Sequence, residues 1–304
     1  MKINIDELKS WIGNDEIAFD EVSQGLETRF RATLDEDPGN PQKGDIASSG
    51  LHWALAPAIV KSSLLGKDSH PQKGEFLPPI PLPRRMWAGC RTYFLNSLKI
   101  GDIVKKKSTV VDINLKNGKS GLLCFVTAKY EFFVDNKLMI EEDHDLVYRD
   151  YNKNENTTFI KNNLPFLKSD YEEKIFTHPT MLFRYSAITF NGHRIHYDYP
   201  YSTNEEGYKD LVFHGPLQAT LMLRAAEKYK KAKVKSFSHR GIAPVYANDD
   251  LFINIENKLN GAVNCFTSTK DAGMTMKAEA IFWLHINKFF CLLYTSPSPR
   301  DGRE

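Results

Sequence analysis

His196 is the residue whose type and setting best suit proton transfer. Histidine titrates near neutral pH and can give or take a proton. It stands in Asn191-Gly192-His193-Arg194-Ile195-His196-Tyr197-Asp198, a run too polar for ordinary core. Asp198, two residues on, is the carboxylate expected to orient the ring, although an acid there would serve equally as a turn residue. A second piece is His214-Gly215-Pro216. Glycine followed by proline marks the start of a helix. Backbone N–H groups there have no intrahelical acceptor, and the helix dipole is positive, which suits an anion formed during a reaction. Leu217, Ala219, Leu221, Met222, Leu223, Ala225 and Ala226 make that helix apolar nearly all round, hence buried. Arg84 and Arg85 precede Met86-Trp87-Ala88-Gly89 in the first half, and Arg184 and Arg194 flank the 191–198 segment. Arginine suits anionic groups of a substrate, and it suits plain surface ion pairs as well.

The rest of the chain narrows the chemistry. Cys90, Cys124, Cys265 and Cys291 are far apart, with no CxxC spacing. Neither a zinc site nor a disulfide framework is expected, and the first three read as reduced core thiols. The net charge of +2 gives no electrostatic invitation to nucleic acid. There is no run of 18 apolar residues to span a membrane. The start, MKINIDELKSWIGNDEIAFD, lacks the apolar core of a signal peptide, so a cytoplasmic location is expected.

These residues need elements to position them. Phe19, Val22, Leu26, Phe30 and Leu34 recur at helical intervals, which predicts a helix over about 15–34. A second helix is expected at 51–65, shortened by Pro57, then a Gly- and Pro-rich loop at 66–83. Period-two alternation predicts strands at 92–100, 103–115, 121–134 and 137–148. They are broken at Gly101-Asp102, Asn117-Gly118 and Asp135-Asn136. After a polar linker at 150–171, an opening segment (180–201), a helix (215–231) and four strands at 234–246, 251–259, 262–270 and 274–284 repeat the order. The expectation is an α+β fold built from two helix-then-sheet units, 1–150 and 171–290. The last fourteen residues, CLLYTSPSPRDGRE, stand apart: their first eleven resemble the in-frame translation of a sequencing adapter. Residues 291–304 are therefore not expected to belong to the fold.

The stretches PLPRRMWAG (81–89), STVVDINLKNGKSGLLCFVTAKYE (108–131), FRYSAITFNGHRIHYDYPYS (183–202) and VFHGPLQATLML (212–223) resemble the MaoC-like, double hot-dog acyl-thioester hydratases. The branch they resemble most holds hydratases of mesaconyl-C4-CoA and itaconyl-CoA and the type 2 hydroxyacyl-thioester dehydratases. The likeness runs over about residues 10–285. It implies a tandem hot-dog fold, each half a long helix packed on an antiparallel sheet. It also implies a lyase that adds water across the 2,3 double bond of an enoyl-CoA, with no cofactor or metal. An acyl-CoA would be the partner, with no nucleic acid or membrane, and a homodimer is compatible with it.

MaoC-type hydratases carry Asp-x-Asn-Pro-x-His. Here the spacing of five survives from Asn191 to His196, with His193 and Arg194 in place of Asn and Pro. The resemblance then implies that His196 carries the proton traffic, with Asn191 holding the attacking water or the thioester. Gly215 would offer its amide to the thioester carbonyl. Arg84, Arg85, Trp87, Arg194 and His214 would contact substrate, whose CoA phosphates and acyl carboxylate are anionic. The first half lacks the motif: around Ala32-Thr33-Leu34-Asp35-Glu36-Asp37-Pro38 no histidine stands at the required spacing. One site per chain is expected, with the first half shaping the acyl pocket, and His52 and Trp53 on its wall. A (3R)-hydroxyacyl-thioester dehydratase is the alternative. A hot-dog thioesterase is disfavoured, because 215–226 holds no acid to activate water.

Overall fold

The computed structural model describes residues 3–118, 121–150 and 169–283. The adapter-like tail, Cys291 and most of the expected linker lie outside the described residues. In chain order the elements are α1 (Ile5–Lys9), β1 (Asp15–Glu21), α2 (Gln24–Thr33), β2 (Arg84–Phe94), β3 (Ile103–Gly118), β4 (Gly121–Val134) and β5 (Lys137–Arg149). They continue with β6 (Tyr171–Phe176), α3 (Pro179–Ile188), α4 (Gly215–Lys230), β7 (Val234–Gly241), β8 (Asp250–Asn257), β9 (Val263–Thr269) and β10 (Gly273–Phe282).

All ten strands join one antiparallel sheet, in the order β1-β3-β4-β5-β2-β7-β10-β9-β8-β6. That order is symmetric about its centre: β2 answers β7, β5 answers β10, and so outward to β1 and β6. Two five-stranded halves therefore meet along a single seam, β2 against β7, where Gly89 faces Arg240 and Tyr93 faces Ser236. The seam is tight. A Cβ added at Gly89 would sit 2.6 Å from the carbonyl oxygen of His239. A bulge between Trp87 and Gly89 shifts the β2 register there.

Local chemistry accounts for most boundaries. Asp135 and Asn136 turn β4 into β5 with both φ values positive, as a two-residue hairpin needs. Ser23 caps α2 by accepting the Leu26 N–H at 3.1 Å. Helix α4 begins with Gly215 and Pro216 and stops where Lys231 takes a left-handed conformation. Its apolar sides are buried across β7, β8, β9 and β10.

Three expectations are corrected. Residues 15–21 form edge strand β1, not the first turns of a helix. Phe19 is exposed while Val22 is core, so their helical spacing is coincidental. The helix expected at 51–65 is reduced to two short 3-10 turns, Leu51–Ala54 and Ser62–Leu64, with Pro57 between them. The long helix expected in each half is complete only in the second. In the first half α2 has ten residues and packs against α3. Among the described residues no helix is long and apolar enough to cross a membrane.

Candidate active site

His196 closes a short 3-10 turn, Arg194–His196, and is buried. Its Nδ1 lies 2.7 Å from the Val212 carbonyl oxygen. A carbonyl can only accept, so Nδ1 carries the hydrogen and Nε2 keeps its lone pair. The ring stacks on His214 with centroids 3.6 Å apart and planes 17° from parallel. Burial pushes the His196 pKa down to about 4, against the pull of the Val212 carbonyl and helped by nearby His70. At neutral pH it is therefore an uncharged base with one fixed tautomer.

His214 directly precedes α4, its ring bonded to the Ser186 hydroxyl at 2.8 Å. It is fully buried behind His196. His214 was expected to contact substrate; the structure places it as a flat, buried support for the His196 ring. Gly215 follows, and its amide opens the first turn of α4. A Cβ there would lie 3.1 Å from Cε3 of Trp87, a residue of the first half. Glycine is thus needed for the helix start to approach the Trp87 ring, which walls the site. Asn191 accepts the His193 N–H on Oδ1 at 3.0 Å and donates its own N–H to the Ser186 carbonyl at 2.8 Å. Phe190, in a left-handed conformation, makes that turn. The Oδ1 of Asn191 is committed, which leaves Nδ2 as a donor for water.

Other expected residues take different roles. Asp198 does not orient His196. It pairs with Arg194 at 2.9 and 2.7 Å and accepts the Tyr201 N–H on its other oxygen. The orienting group of His196 is the Val212 carbonyl. Arg194 is accordingly neutralised by Asp198 and also donates to the Lys67 carbonyl at 3.2 Å. Arg84 is paired with Glu206 at 3.1 Å. Neither arginine is a free anion receptor, because in each a carboxylate already occupies the guanidinium. Arg184 reaches the Ala32 carbonyl from an exposed position. His52 and Trp53 both bond to buried Glu142, at 3.1 and 3.0 Å, and Thr92 and His144 complete that acid's shell. Trp53 still meets Trp87 edge to face, with centroids 6.2 Å apart.

Sequence reasoning missed Asp68 and His70. His70 Nδ1 bonds to Asp68 at 2.8 Å, and the same carboxylate accepts the His70 N–H at 3.1 Å. The His70 ring lies 4.1 Å from His193, which in turn meets His196 at 5.3 Å and 90°. Burial, then the charge of Arg85, lowers His70 to about 4, with Asp68 opposing. Burial, then His70 and His196, holds His193 well below the usual imidazole range. The loop is pinned onto the catalytic segment: Arg194 N–H donates to the Asp68 carbonyl at 3.2 Å, and a Cβ at Gly192 would come within 3.0 Å of the Ser69 carbonyl. The site is thus assembled from both halves.

Two groups of side chains could hold a divalent ion: Asp68, His70 and His193, and Cys90, Glu142 and His144. Both are already tied by internal hydrogen bonds, and no step below uses an ion. A cavity of about 700 Å³ opens beside the C-terminal part of α4, its lining running from Leu221 to Lys231, about 9–24 Å along the helix from Gly215. Six of its charged side chains are paired, Arg224 with Glu36, Lys228 with Glu173 and Lys233 with Glu227. Glu227, the first acid of α4, is committed there to Lys233, Ser49 and the Val234 N–H, far from the thioester position a hydrolase would need it at.

Residues 50–247 match the family model described as hydroxyacyl-thioester dehydratase type 2. The mesaconyl-C(4)-CoA hydratase of Chloroflexus aurantiacus is 38% identical over 238 residues, spanning 78% of this chain and 84% of that one. A MaoC-like dehydratase from Phytophthora capsici superposes with a TM-score of 0.68 at 15% identity, over 92% of this chain and 99% of that one. A conserved hypothetical protein from Mycobacterium tuberculosis, described as a double hot-dog fold, gives a TM-score of 0.55 at 11% identity, over 90% of this chain and 96% of that one.

Proposed function

Because the chain belongs to the hydroxyacyl-thioester dehydratase type 2 family, we propose that its site hydrates an enoyl-CoA at the 2,3 double bond, with mesaconyl-C4-CoA as substrate and citramalyl-CoA as product. It is a carbon–oxygen lyase acting on acyl-CoA thioesters. The observation that carries the mechanism is the fixed Nε2 lone pair of His196 beside the N-terminus of α4.

The thioester oxygen accepts the Gly215 amide, where the helix start offsets the charge that gathers on it. Asn191 Nδ2 donates to the attacking water. His196 Nε2 takes a proton as the water oxygen bonds to carbon 3, and the carbonyl becomes an enolate. The imidazolium so formed has no carboxylate to hold it, since Asp198 is engaged by Arg194. It therefore readily returns the proton to carbon 2. One histidine serves as base and then acid, and the sum is addition of H and OH. The reverse sequence is dehydration. The two halves act as two hot-dog units, only the second of which carries the acid/base residue.

The family description also supports a second reading, dehydration of a (3R)-hydroxyacyl thioester. The deciding experiment follows loss of the conjugated thioester absorbance for mesaconyl-C4-CoA and crotonyl-CoA. Hydration of mesaconyl-C4-CoA supports the main reading. Turnover of crotonyl-CoA alone supports the second, and hydrolysis to free CoA sinks both.

Asn191→Asp tests the amide. The carboxylate can still accept the His193 N–H, so the turn survives and only charge is added. An opposite charge nearby raises an imidazole pKa by about 1–3. The acidic limb of the hydration profile, expected near the His196 value of about 4, should move upward. Hydration at pH 6 should fall. A limb that stays in place removes Asn191 from the surroundings of the base.

A further inference from the structure

Arg85 stands apart from five other half-buried arginines, each paired with a carboxylate. Arg31 is paired with Glu27, Arg84 with Glu206, Arg91 with Asp145, Arg194 with Asp198 and Arg224 with Glu36. Among the described residues Arg85 has no carboxylate within ion-pair distance. Its place in the sheet is informative. It lies on β2 two residues before Trp87, so both side chains leave the same face about 7 Å apart. Trp87 is the residue that abuts Gly215, the amide to which the hydratase reading assigns the thioester carbonyl. Directly across on β5, Arg85 faces Tyr148, a fully buried residue whose hydroxyl closes no hydrogen bond of good geometry. Lys73 sits over the Tyr148 ring at 5.3 Å, its ammonium anchored on the Ile80 and Leu82 carbonyls. The acid of this corner, Asp68, has both oxygens bonded to His70. Two cations, one engaged anion and a hydroxyl that faces Arg85 leave a site with positive charge to spare.

Resting on the hydratase reading, we propose that Arg85, with the Tyr148 hydroxyl, binds the free carboxylate of a dicarboxylic acyl group and selects such monothioesters over simple enoyl-CoAs. The substrate chemistry gives this a purpose. In a mesaconyl-C4 thioester the free carboxylate is attached to carbon 3, the atom that water attacks. Its negative charge repels the incoming oxygen. A guanidinium paired with it removes that repulsion and fixes the face presented to His196. Bidentate pairing is available to arginine and not to lysine. His70 and His193, held neutral by burial and by Arg85 itself, add no competing charge.

The test compares parent, Arg85→Met and Arg85→Lys on mesaconyl-C4-CoA, crotonyl-CoA and the mesaconyl-C4 thioester of pantetheine, which lacks the CoA phosphates. Removing one partner of a desolvated charge pair costs about 2–5 kcal/mol. For Arg85→Met the ratio of kcat/KM for mesaconyl-C4-CoA over crotonyl-CoA should therefore fall by roughly thirtyfold or more. The pantetheine thioester should suffer the same loss as mesaconyl-C4-CoA. Arg85→Lys should fall between, which keeps the test usable if the Met variant folds poorly. An equal loss on mesaconyl-C4-CoA and crotonyl-CoA overturns the proposal, and a spared pantetheine thioester shows that Arg85 reads a CoA phosphate instead. A parent enzyme that hydrates none of these thioesters overturns the underlying hydratase reading, an outcome distinct from both.

Discussion

His196→Ala should lower kcat for hydration by about 10²–10⁴, the usual cost of losing a general acid/base. The size of the loss follows from the absence of a substitute. His214 is stacked behind His196 and fully buried, with its ring on Ser186. Asp198 is paired with Arg194, and Asn191 has no proton to exchange at neutral pH. His193 and His70 lie farther along the row of rings, so neither takes over the same atom. Binding of a saturated acyl-CoA analogue should change little, because the Gly215 amide and the first-half wall remain. The parent profile should lose activity as pH falls through about 4, where His196 gains its proton. Near-parental turnover in the purified variant would sink the assignment.

Gly89→Ala should weaken the whole molecule. Its Cβ would lie 2.6 Å from a backbone oxygen of the opposite half, and no rotamer change can relieve a backbone contact. Overpacking of this kind costs about 1–3 kcal/mol. At about 2–4 °C per kcal/mol, the melting temperature should drop by several degrees. Activity should fall further than stability, because the displaced strand also carries Trp87 and Arg85. An unchanged melting temperature would show that the seam is looser than its geometry states.

The parts legible in the sequence were those with local causes. The turn at Asp135-Asn136, the glycine–proline start of α4 and the alternation of β3, β4 and β5 depend on near neighbours, whereas Asn117 and Gly118, expected to break the sheet, are still paired within β3 to Leu122 and Gly121. Edge strand β1 was misread because Phe19 and Val22 fell three apart, though one is exposed and the other core. Strand β6 hid at the end of a polar stretch, because an edge strand with alternating exposure has little apolar content. In the site, His196, Asn191 and Gly215 lay in recognisable segments. Asp68 and His70 did not, since their meaning comes from a contact with Gly192–Arg194, more than a hundred residues later. The partner of Asp198 was misjudged for a related reason. Proximity in sequence suggested His196, whereas the arginine four residues back offered a full opposite charge to a carboxylate already at hand.

The single seam between the halves also sets a timetable for synthesis. Strand β2 leaves the ribosome roughly 150 residues before β7, the strand it must pair with. At about 5–20 residues per second, that is a wait of roughly 8–30 seconds. Throughout it, the nascent first half carries an unpaired edge at Gly89–Tyr93, and Trp87 has no helix start to rest against. Neighbouring chains on one messenger carry the same bare edge at the same moment. The near-symmetry of the sheet makes β2 of one chain a fair imitation of β7 for another. Correct assembly therefore depends on a race that the tethered β7 wins by its high local concentration, and crowded translation of this protein is where chaperone protection of that edge matters most.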